Sequence, residues 1–401
     1  HHADESQLMP FLSLAVDNFR NLKNGRIDFS GKEIYFVGTN GQGKTNILEA
    51  LYYSAYGSSF RTYTDSQIVK TGEEAFALHV LYKQESGNVQ KIDIRCADGI
   101  KRIEKNGKRV QDRKELINTI PCVLFCHDDM RFATGGPEHR RFFLDQSLTM
   151  FDALYIDDLR NYKKILKNRN QLLKDRSYEM LDVYDMQLAQ CGLEVQKKRK
   201  TAVFQFNQIF GKLYEAVAGI DGVRIVYVPS WKEMPDGAGT RFPLPEEIRE
   251  KLSERRDRDK MMETTMSGPH RDRIVFMRGG NQFIPTASTG QQRLTALLLR
   301  ASQAVYYTRV TGVKPVFLMD DVMLELDPDK RQKMTAILPD YDQLFCTFLP
   351  GEPYERYKRS TTRIFGIENG EWNEMREGGS ISSPQSSEAL SESGLLNRPR
   401  E

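Results

Sequence analysis

The stretch EIYFVGTNGQGKTNILEALYYSAYG, residues 33–57, decides the fold class of this 401-residue chain. Its middle, Gly38–Thr45, matches the pattern GxxxxGK[ST] at every fixed position, with a strand-like run before it and a helix-like run after it. Glycines let consecutive backbone N–H groups turn toward phosphate oxygens, and the following helix adds its positive end. The stretch therefore predicts an α/β fold of the P-loop class with a nucleotide-phosphate site.

Each residue of this loop has an expected part in binding. Lys44 is expected to bridge the β- and γ-phosphates, and the hydroxyl of Thr45 to take one coordination position on Mg²⁺. A glycine-rich turn with a chance lysine is the alternative, and the flanking strand and helix argue against it. The other expected nucleotide-binding positions are Gly38, Thr39, Asn40, Gly41, Gln42 and Gly43.

A second strand-like run, VFLM at 316–319, ends in the carboxylates Asp320 and Asp321. Ligands bind beyond the carboxyl ends of strands in open α/β sheets. We therefore expect Asp320 to hold Mg²⁺ and Asp321 to orient or polarise the attacking water. An acidic turn at a strand end is the alternative. The predicted catalytic residues are Lys44, Asp320 and Asp321, and the predicted metal ligands are Thr45 and Asp320.

A third element, TASTGQQRL at 286–294, precedes a long helical run and has the small hydroxyl and glycine residues of an anion-binding helix start. In ABC-type ATPases a Ser-x-Gly-Gln element stands ahead of the carboxylate strand, and Ser288, Thr289, Gly290 and Gln291 occupy that place here. An ordinary helix N-cap is the alternative, because Ser and Thr serve backbone needs there. The two interpretations are physically compatible.

Between these motifs the sequence becomes helical. Apolar residues recur at spacings of three, four or seven from Leu144 to Leu173 and again from Tyr184 to Val217. This pattern predicts an antiparallel helical hairpin with about 30 residues, or roughly 45 Å, in each helix. After it, residues 229–247 are expected to form a loop and residues 248–265 a charged helix.

The order of the motifs predicts a helical arm inserted into one ATPase head. We expect the N-terminal part of the head at 9–130 and the arm at 131–265. The C-terminal part of the head is expected at 266–376. It contains the carboxylate strand and the Ser288–Gln291 element, which we call the signature. The Ser-rich residues 377–401 contain few apolar side chains and are expected to be disordered.

Composition excludes several other classes of protein. The 58 Lys and Arg residues nearly balance 55 Asp and Glu residues, so nucleic-acid binding would need a local basic patch. The five cysteines form no CxxC pair, which favours reduced thiols and a cytoplasmic location. No apolar run reaches the roughly 18 residues that a membrane-spanning helix needs, so no membrane partner is expected.

Taken together, the motifs resemble the RecF family of bacterial recombination-repair proteins, within the ABC/SMC-like ATPases. The resemblance covers about residues 11–370. It implies an ABC-type head with a short coiled-coil-like arm, two heads that dimerise around two ATP molecules, and binding to double-stranded and gapped DNA. RecR, RecO and RecA are the protein partners that it implies. The stretches that carry it are VDNFRNL, VGTNGQGKTNILEALY, SSFRT, GGPEHRRFFLDQSL, YKKILKNRNQLLK, SGPHRD, STGQQR and LMDDVMLELD.

The resemblance also implies roles for single residues. Ser288, Gly290 and Gln291 would contact the γ-phosphate of ATP bound to Lys44 of a second copy. Asp327 would lie at the dimer interface. The sequence departs from the family pattern at three positions, which concern the tuning of hydrolysis rather than the nucleotide site. They are Leu324 in place of Ser, His127 in place of Pro, and Arg273 in place of Asp.

Basic residues outside the phosphate site are the candidates for DNA contact. The densest run lies at 101–114, around the hairpin signal Asn106-Gly107, and a second run, QKKRK, lies at 196–200. Arg61 is a candidate for sensing nucleotide or DNA. Solvated charge is the alternative for the runs, and a structural ion pair is the alternative for Arg61. The residues selected from the first run are Lys101, Arg102, Lys105, Lys108 and Arg109.

Three functions are compatible with the sequence. The first is a DNA-repair ATPase that forms an ATP-driven dimer on DNA, hydrolyses ATP slowly with DNA stimulation, and helps RecR and RecO load RecA. The second is a scaffold that binds ATP to dimerise but barely hydrolyses it, which Asp321 favours because many ATPases have Glu there. The third, an SMC-like ATPase carrying a nuclease, lacks an additional carboxylate cluster in the sequence.

Overall fold

The computed structural model describes residues 10–62, 64–84, 86–322 and 325–376, so the predicted tail at 377–401 lies outside them. Within these ranges the chain has two six-stranded sheets, a three-stranded sheet and a two-stranded sheet. The strands are β1 (Phe11–Asp17), β2 (Gly25–Asp28), β3 (Glu33–Val37), β4 (Ala75–Lys83), β5 (Val89–Ala97), β6 (Ile100–Lys105), β7 (Lys108–Arg109), β8 (Cys122–Phe125), β9 (Val223–Val228), β10 (Met234–Asp236), β11 (Gly239–Arg241), β12 (Arg273–Arg278), β13 (Asn281–Gln282), β14 (Val316–Asp320), β15 (Gln343–Phe348), β16 (Thr362–Glu368) and β17 (Glu371–Glu374).

The α-helices of the same ranges alternate with these strands in the head and follow one another in the arm. The α/β class is therefore confirmed. The helices are α1 (Lys44–Tyr56), α2 (Met130–Thr134), α3 (Pro137–Thr149), α4 (Ala153–Lys174), α5 (Leu181–Ala218), α6 (Pro245–Glu254), α7 (Arg256–Met262), α8 (Thr289–Thr311) and α9 (Pro328–Ile337).

The sheet that positions the phosphate site has the strand order β17-β16-β3-β15-β14-β8. Every pairing in it is parallel except that of β17 with β16. The carboxyl ends of β3 and β14 therefore meet at one edge of the sheet, with β15 between them. This arrangement brings the loop after Val37 and the carboxylate at Asp320 together although they are far apart in sequence.

Helix α1 lies between this sheet and the second, antiparallel sheet, whose order is β2-β1-β4-β5-β6-β7. Ile47, Leu48 and Leu51 of the helix are fully buried, and they share one core with Ile34 and Phe36 of β3. Since side chains alternate along a strand, Tyr35 and Val37 face the opposite core, which contains α8 and the base of the arm. The sheet is therefore covered on both faces, as parallel sheets require.

The arm differs in detail from the predicted hairpin. The first apolar pattern is two helices, α3 and α4, because Asp152 starts a new helix by accepting a hydrogen bond from the Tyr155 backbone N–H at 3.0 Å. The expectation of two equal helices was wrong. Helix α4 has 22 residues and α5 has 38, or about 33 Å and 57 Å.

The region after the arm helices also contains more structure than predicted. Strands β10 and β11 form a hairpin inside the expected loop at 229–247, and the expected single helix at 248–265 is the pair α6 and α7. The three-stranded sheet β13-β12-β9 joins residues on both sides of position 265. The boundaries at 130, 265 and 376 stay a proposal.

Candidate nucleotide-phosphate site

The loop after β3 needs glycine at two positions for steric reasons. A Cβ at Gly38 would lie 2.4 Å from the carbonyl oxygen of Ile367, which real contacts do not allow. Gly43 has a φ of 119° and immediately precedes α1, so its backbone adopts a conformation that other residues resist. The loop is thus held close to the sheet edge with its backbone free to face a bound group.

Lys44 and the predicted carboxylates converge at the end of this loop. The buried Lys44 Nζ donates to the Phe348 carbonyl oxygen at 3.1 Å and lies 3.5 Å from Asp321 Oδ1. Thr45 Oγ1 donates to Asp320 Oδ2 at 2.8 Å. The structure therefore brings together the four side chains for which the sequence predicts catalysis and metal binding, and their individual roles stay predictions.

Thr347 joins the two carboxylates, although it is not among the predicted site residues. Its Oγ1 lies 2.8 Å from Asp320 Oδ1 and 3.2 Å from Asp321 Oδ1, and it accepts a hydrogen bond from the Asp321 backbone N–H at 2.9 Å. One hydroxyl proton serves one carboxylate at a time. The observation that identifies Thr347 as a site residue is the pairing register of β15 with β14, which places Thr347 beside Asp320.

Burial raises the pKa of Asp320, while hydrogen bonds from Thr347 and Thr45 oppose that shift. Asp321 raises the pKa further by repulsion, and the Lys44 ammonium lowers it. A carboxylate and a hydroxyl oxygen at this spacing suit Mg²⁺, which prefers oxygen ligands and keeps several waters. In the described ranges no group of three or more His, Cys, Asp or Glu side chains is placed to hold a metal ion.

Two turns hold the phosphate loop from outside. The backbone N–H groups of Asn369 and Gly370 donate to the side-chain and main-chain oxygens of Gln42 at 2.7 and 2.8 Å. Asn21 Nδ2 donates to the Gly41 carbonyl oxygen at 3.2 Å. The loop conformation therefore depends on residues from both ends of the described chain.

The predicted signature lies at the start of α8, where Ser288, Thr289 and Gly290 are exposed and Gln291 is partly buried. Ser288 Oγ accepts from the Gln291 backbone N–H at 3.2 Å, and Gln291 Oε1 accepts from the Ser288 backbone N–H at 2.9 Å. The N-cap interpretation is therefore confirmed. In the part of the chain that the structure describes, no hydrogen bond or ion pair joins residues 288–291 to the loop at 38–45, so their contact with a second copy stays a proposal.

Arg61 forms the structural ion pair that was its alternative role. It pairs with the fully buried Glu49 of α1, which also accepts two hydrogen bonds from Arg20, at 2.8 and 2.9 Å. Burial acts to raise the pKa of Glu49, but hydrogen bonds from Arg20 and the charge of Arg61 lower it overall. Arg61 therefore stands against the helix that follows the phosphate loop, and its sensing role stays a prediction.

The selected basic residues do not form one free patch. Lys101 Nζ donates to the Gly57 carbonyl oxygen at 2.6 Å and pairs with Asp65 at 3.1 Å. Arg102 pairs with Glu104, and Lys105 donates to Thr119. Among the selected residues that the structure describes, Lys108 and Arg109 are exposed without an acidic partner.

The remaining predicted positions lie around the site and the arm base. His127 Nδ1 is 3.0 Å from Glu325 Oε1, and Asp327 caps α9 by accepting from the Lys330 backbone N–H at 3.0 Å. Arg273 is exposed on β12, whereas Leu324 lies outside the described residues. These observations do not test an effect on hydrolysis.

Together, the parallel sheet, its glycine loop and the paired carboxylates define a P-loop ATPase head of the ABC/SMC type. The family model described as RecF/RecN/SMC N terminal domain matches residues 11–372. The chain is 49% identical over 359 residues to the DNA replication and repair protein RecF of Treponema pallidum, covering 89% of this chain and 99% of that relative. The chain belongs to the RecF family.

Other comparisons agree with this assignment. RecF of Leptospira interrogans is 31% identical over 365 residues, covering 89% of this chain and 97% of its own. The solved structure of the recombination mediator protein RecF with ATP, from the RecFOR pathway, has a TM-score of 0.82 at 29% identity, covering 94% of this chain and all of its own. An Smc head bound to the ScpA winged-helix domain has a TM-score of 0.52 at 15% identity, covering 92% of this chain and 97% of its own, which supports the fold alone.

Within the described ranges, no helix is both long enough and apolar enough to cross a membrane.

Proposed function

We propose that this protein is an ATP-dependent DNA-binding protein of recombinational repair, which forms a homodimer around two ATP molecules. The observation that carries the proposal is a phosphate loop with its paired carboxylates in the same chain as a Ser288–Gln291 signature that forms no hydrogen bond or ion pair with this loop in the described part of the chain. A second copy would supply the missing half of each site. The RecF–ATP structure with its TM-score of 0.82 supports ATP as the nucleotide.

In this proposal each side chain of the site has a defined task. Lys44 and the backbone of residues 38–43 bind the phosphates, and Thr45 and Asp320 hold Mg²⁺, which neutralises charge on the β- and γ-phosphates. Asp321 orients the attacking water. ATP hydrolysis is slow and is stimulated by DNA. Hydrolysis allows the two subunits of the dimer to separate.

The wider role follows from the family. The dimer binds double-stranded or gapped DNA and works with RecR and RecO to load RecA, which places it in the cytoplasm with the chromosome. The relation to proteins of the RecFOR pathway supports these partners. The division into head segments and an arm, given above, belongs to the same proposal.

Sedimentation tests the dimer directly. Asp321→Asn protein should bind ATP and Mg²⁺ without turning it over, and should therefore accumulate as a dimer. Ser288→Arg should bind ATP but stay monomeric, since the added side chain blocks the approach of a second phosphate site. A monomeric Asp321→Asn protein at saturating ATP, or a dimeric Ser288→Arg protein, would refute the shared-site assignment.

A dimerisation scaffold with negligible hydrolysis is the second candidate. It is favoured by the position of Asp321, whose side chain is one methylene shorter than Glu and whose backbone has a φ of 54°. Turnover measured with and without duplex DNA separates the two functions. DNA-stimulated hydrolysis that Lys44→Met abolishes supports the ATPase, and a rate that stays at the Lys44→Met background supports the scaffold.

A further inference from the structure

The exposed face of α4 carries basic side chains that the phosphate site does not use. Between Arg160 and Lys174 the sequence RNYKKILKNRNQLLK contains no acidic residue. Arg169 is fully buried, and Asp185 and Asp259 neutralise it at 2.8 Å each. The remaining basic residues are exposed, and we call them the α4 basic row: Arg160, Lys163, Lys164, Lys167 and Lys174.

Helical geometry puts the α4 basic row on one side of the arm. At about 100° per residue, its five positions lie within about 100° of the helix circumference. At about 1.5 Å per residue the row is about 21 Å long, which is the length of about six base pairs of duplex DNA. The opposite face, including Tyr155, Tyr162 and Leu173, is buried in the arm.

The charges of the four lysines in this row are not cancelled by neighbours, whereas Arg160 is paired with Asp112. Among the residues that the structure describes, no carboxylate forms an ion pair with the row's lysines. Acidic residues flank the row at its two ends. Asp157 is neutralised by Lys114 at 2.9 Å, and Asp175 accepts a hydrogen bond from Gln171 at 2.8 Å.

The lysines of the basic run QKKRK on α5, unlike those of the α4 basic row, form ion pairs with acidic residues. Lys197 pairs with Glu194 at 3.2 Å, Lys198 pairs with Asp158 at 3.1 Å, and Lys200 pairs with Glu233. Arg199 is buried at the arm base. The densest basic stretch of the arm sequence is therefore largely neutralised, while the four lysines of the α4 basic row have no acidic partner among the described residues.

The N-terminal part of α4 is joined by ion pairs to the segment that follows the β6–β7 hairpin, which carries Lys108 and Arg109. Arg160 pairs with Asp112 at 2.8 Å, and Lys114 pairs with Asp157 at 2.9 Å. A hydrogen bond from the Arg160 guanidinium lowers the pKa of Asp112 to about 2. The α4 basic row therefore begins next to the segment that follows Lys108 and Arg109.

We propose that the α4 basic row, with Lys108 and Arg109 at its foot, holds the phosphate backbone of duplex DNA. This inference rests on the proposed DNA-binding function and assigns its contact surface to the arm. Lysine acts as a point charge toward phosphate and reads no base, so the binding is independent of sequence. Each phosphate contact contributes about −0.9 to the slope of log K against log salt.

The test compares two double variants with the same change in charge. Lys164→Gln with Lys167→Gln removes the middle of the row, and Lys197→Gln with Lys200→Gln removes lysines that acids already neutralise. Duplex binding with ATP and Mg²⁺ is measured over a range of KCl concentrations. The row variant should bind at least about tenfold more weakly at about 0.1 M salt, with a slope reduced by about 1.8, and the control should stay within about twofold of wild type.

Sedimentation with ATP accompanies the binding measurement, and both variants should dimerise as wild type does because neither touches the phosphate site. If wild type binds duplex DNA and the row variant binds with the same affinity and slope, this inference is overturned and the DNA-binding function stands. The same result would follow if the row served an acidic protein surface. If wild type binds no duplex DNA in ATP, the proposed function itself fails.

Discussion

The side-chain hydroxyl of Thr347 contacts both carboxylates of the phosphate site. Replacing it by Val keeps the side-chain shape but removes the hydrogen bonds to Asp320 and Asp321. Groups that orient metal ligands typically contribute 10–100-fold, so we expect kcat for ATP to fall by about that factor. ATP binding by Lys44 and the loop should change little, so KM should stay nearly constant.

Steady-state ATP turnover with and without duplex DNA measures this effect, with direct binding of ATP in parallel. Thr347→Ser is the matched control, because it restores the hydroxyl and should recover most of the rate. Wild-type kcat in Thr347→Val would contradict the positioning role. Loss of ATP binding in the same variant would indicate a general disturbance of the site.

His270 is a partly buried imidazole at the base of the arm. Its Nε2 donates to the Thr265 carbonyl oxygen at 2.8 Å, so its Nδ1 accepts a hydrogen bond from the Tyr162 hydroxyl at 2.6 Å. Burial lowers the pKa of His270 to about 4. The folded protein thus favours the neutral ring, whereas the unfolded chain takes up a proton near pH 6.5.

Because the folded-state pKa is lowered, the contribution of His270 to stability is full above about pH 6.5 and is lost as pH falls toward 4. The loss amounts to at most about 3 kcal/mol. Urea unfolding of wild type and His270→Gln between pH 4 and 7 tests this. The difference in unfolding free energy between the two proteins should shrink with acidity, and a constant difference would contradict the assignment.

Arg300 ties helix α8 to other elements of the head and arm. Its guanidinium pairs with the buried Asp129 at 3.0 Å and donates to Gln146 Oε1 at 2.7 Å. Gln146 in turn donates to the Tyr52 hydroxyl of α1 at 2.8 Å. The helix that begins at the signature and the helix that begins at the phosphate loop are thus joined by side-chain hydrogen bonds.

Removing only one charge of the Arg300–Asp129 ion pair should destabilise the folded protein. Asp129→Asn leaves a buried, uncompensated guanidinium, so we expect the unfolding free energy to fall by about 3–5 kcal/mol. The double variant Arg300→Met with Asp129→Leu removes both charges and should lose much less. Urea unfolding at pH 7 measures both, and equal losses in the two proteins would show that packing rather than charge determines the effect.

The elements differ in how far the sequence predicts them. The phosphate loop, β14 and the α8 N-cap follow from local patterns. Their glycines, strand-end carboxylates and Ser288 determine the structure of residues only a few positions away in the sequence. The break before α4 depends on Asp152, whose capping interrupts an apolar spacing that otherwise continues. Thr347 and the α4 basic row depend on which strand or helix lies alongside, and periodicity within one segment does not contain that information.

Across the whole molecule, net charge is a poor guide to surface charge. The chain has only a small excess of basic residues, yet ion pairs are distributed unevenly between the faces of α4 and α5. The same pairing explains why the run at 101–114 contributes fewer free cations than its sequence indicates. The proposed DNA surface therefore depends on helix orientation and ion pairing rather than on composition.

Gly290 allows the dimer to be tested separately from the fold. A Cβ at this position would meet only Ser288 Oγ, at 3.9 Å, so the folded chain gives no steric reason for glycine. Gly290→Ala should therefore stabilise the monomer slightly, by up to about 1 kcal/mol, because alanine favours the helix. In the proposed ATP-bound dimer the same methyl would stand where a phosphate approaches, so dimerisation should weaken at least about tenfold. Urea unfolding and ATP-dependent sedimentation on one preparation measure both effects, and a more stable protein that still dimerises at wild-type concentrations would show that the signature does not face a second copy.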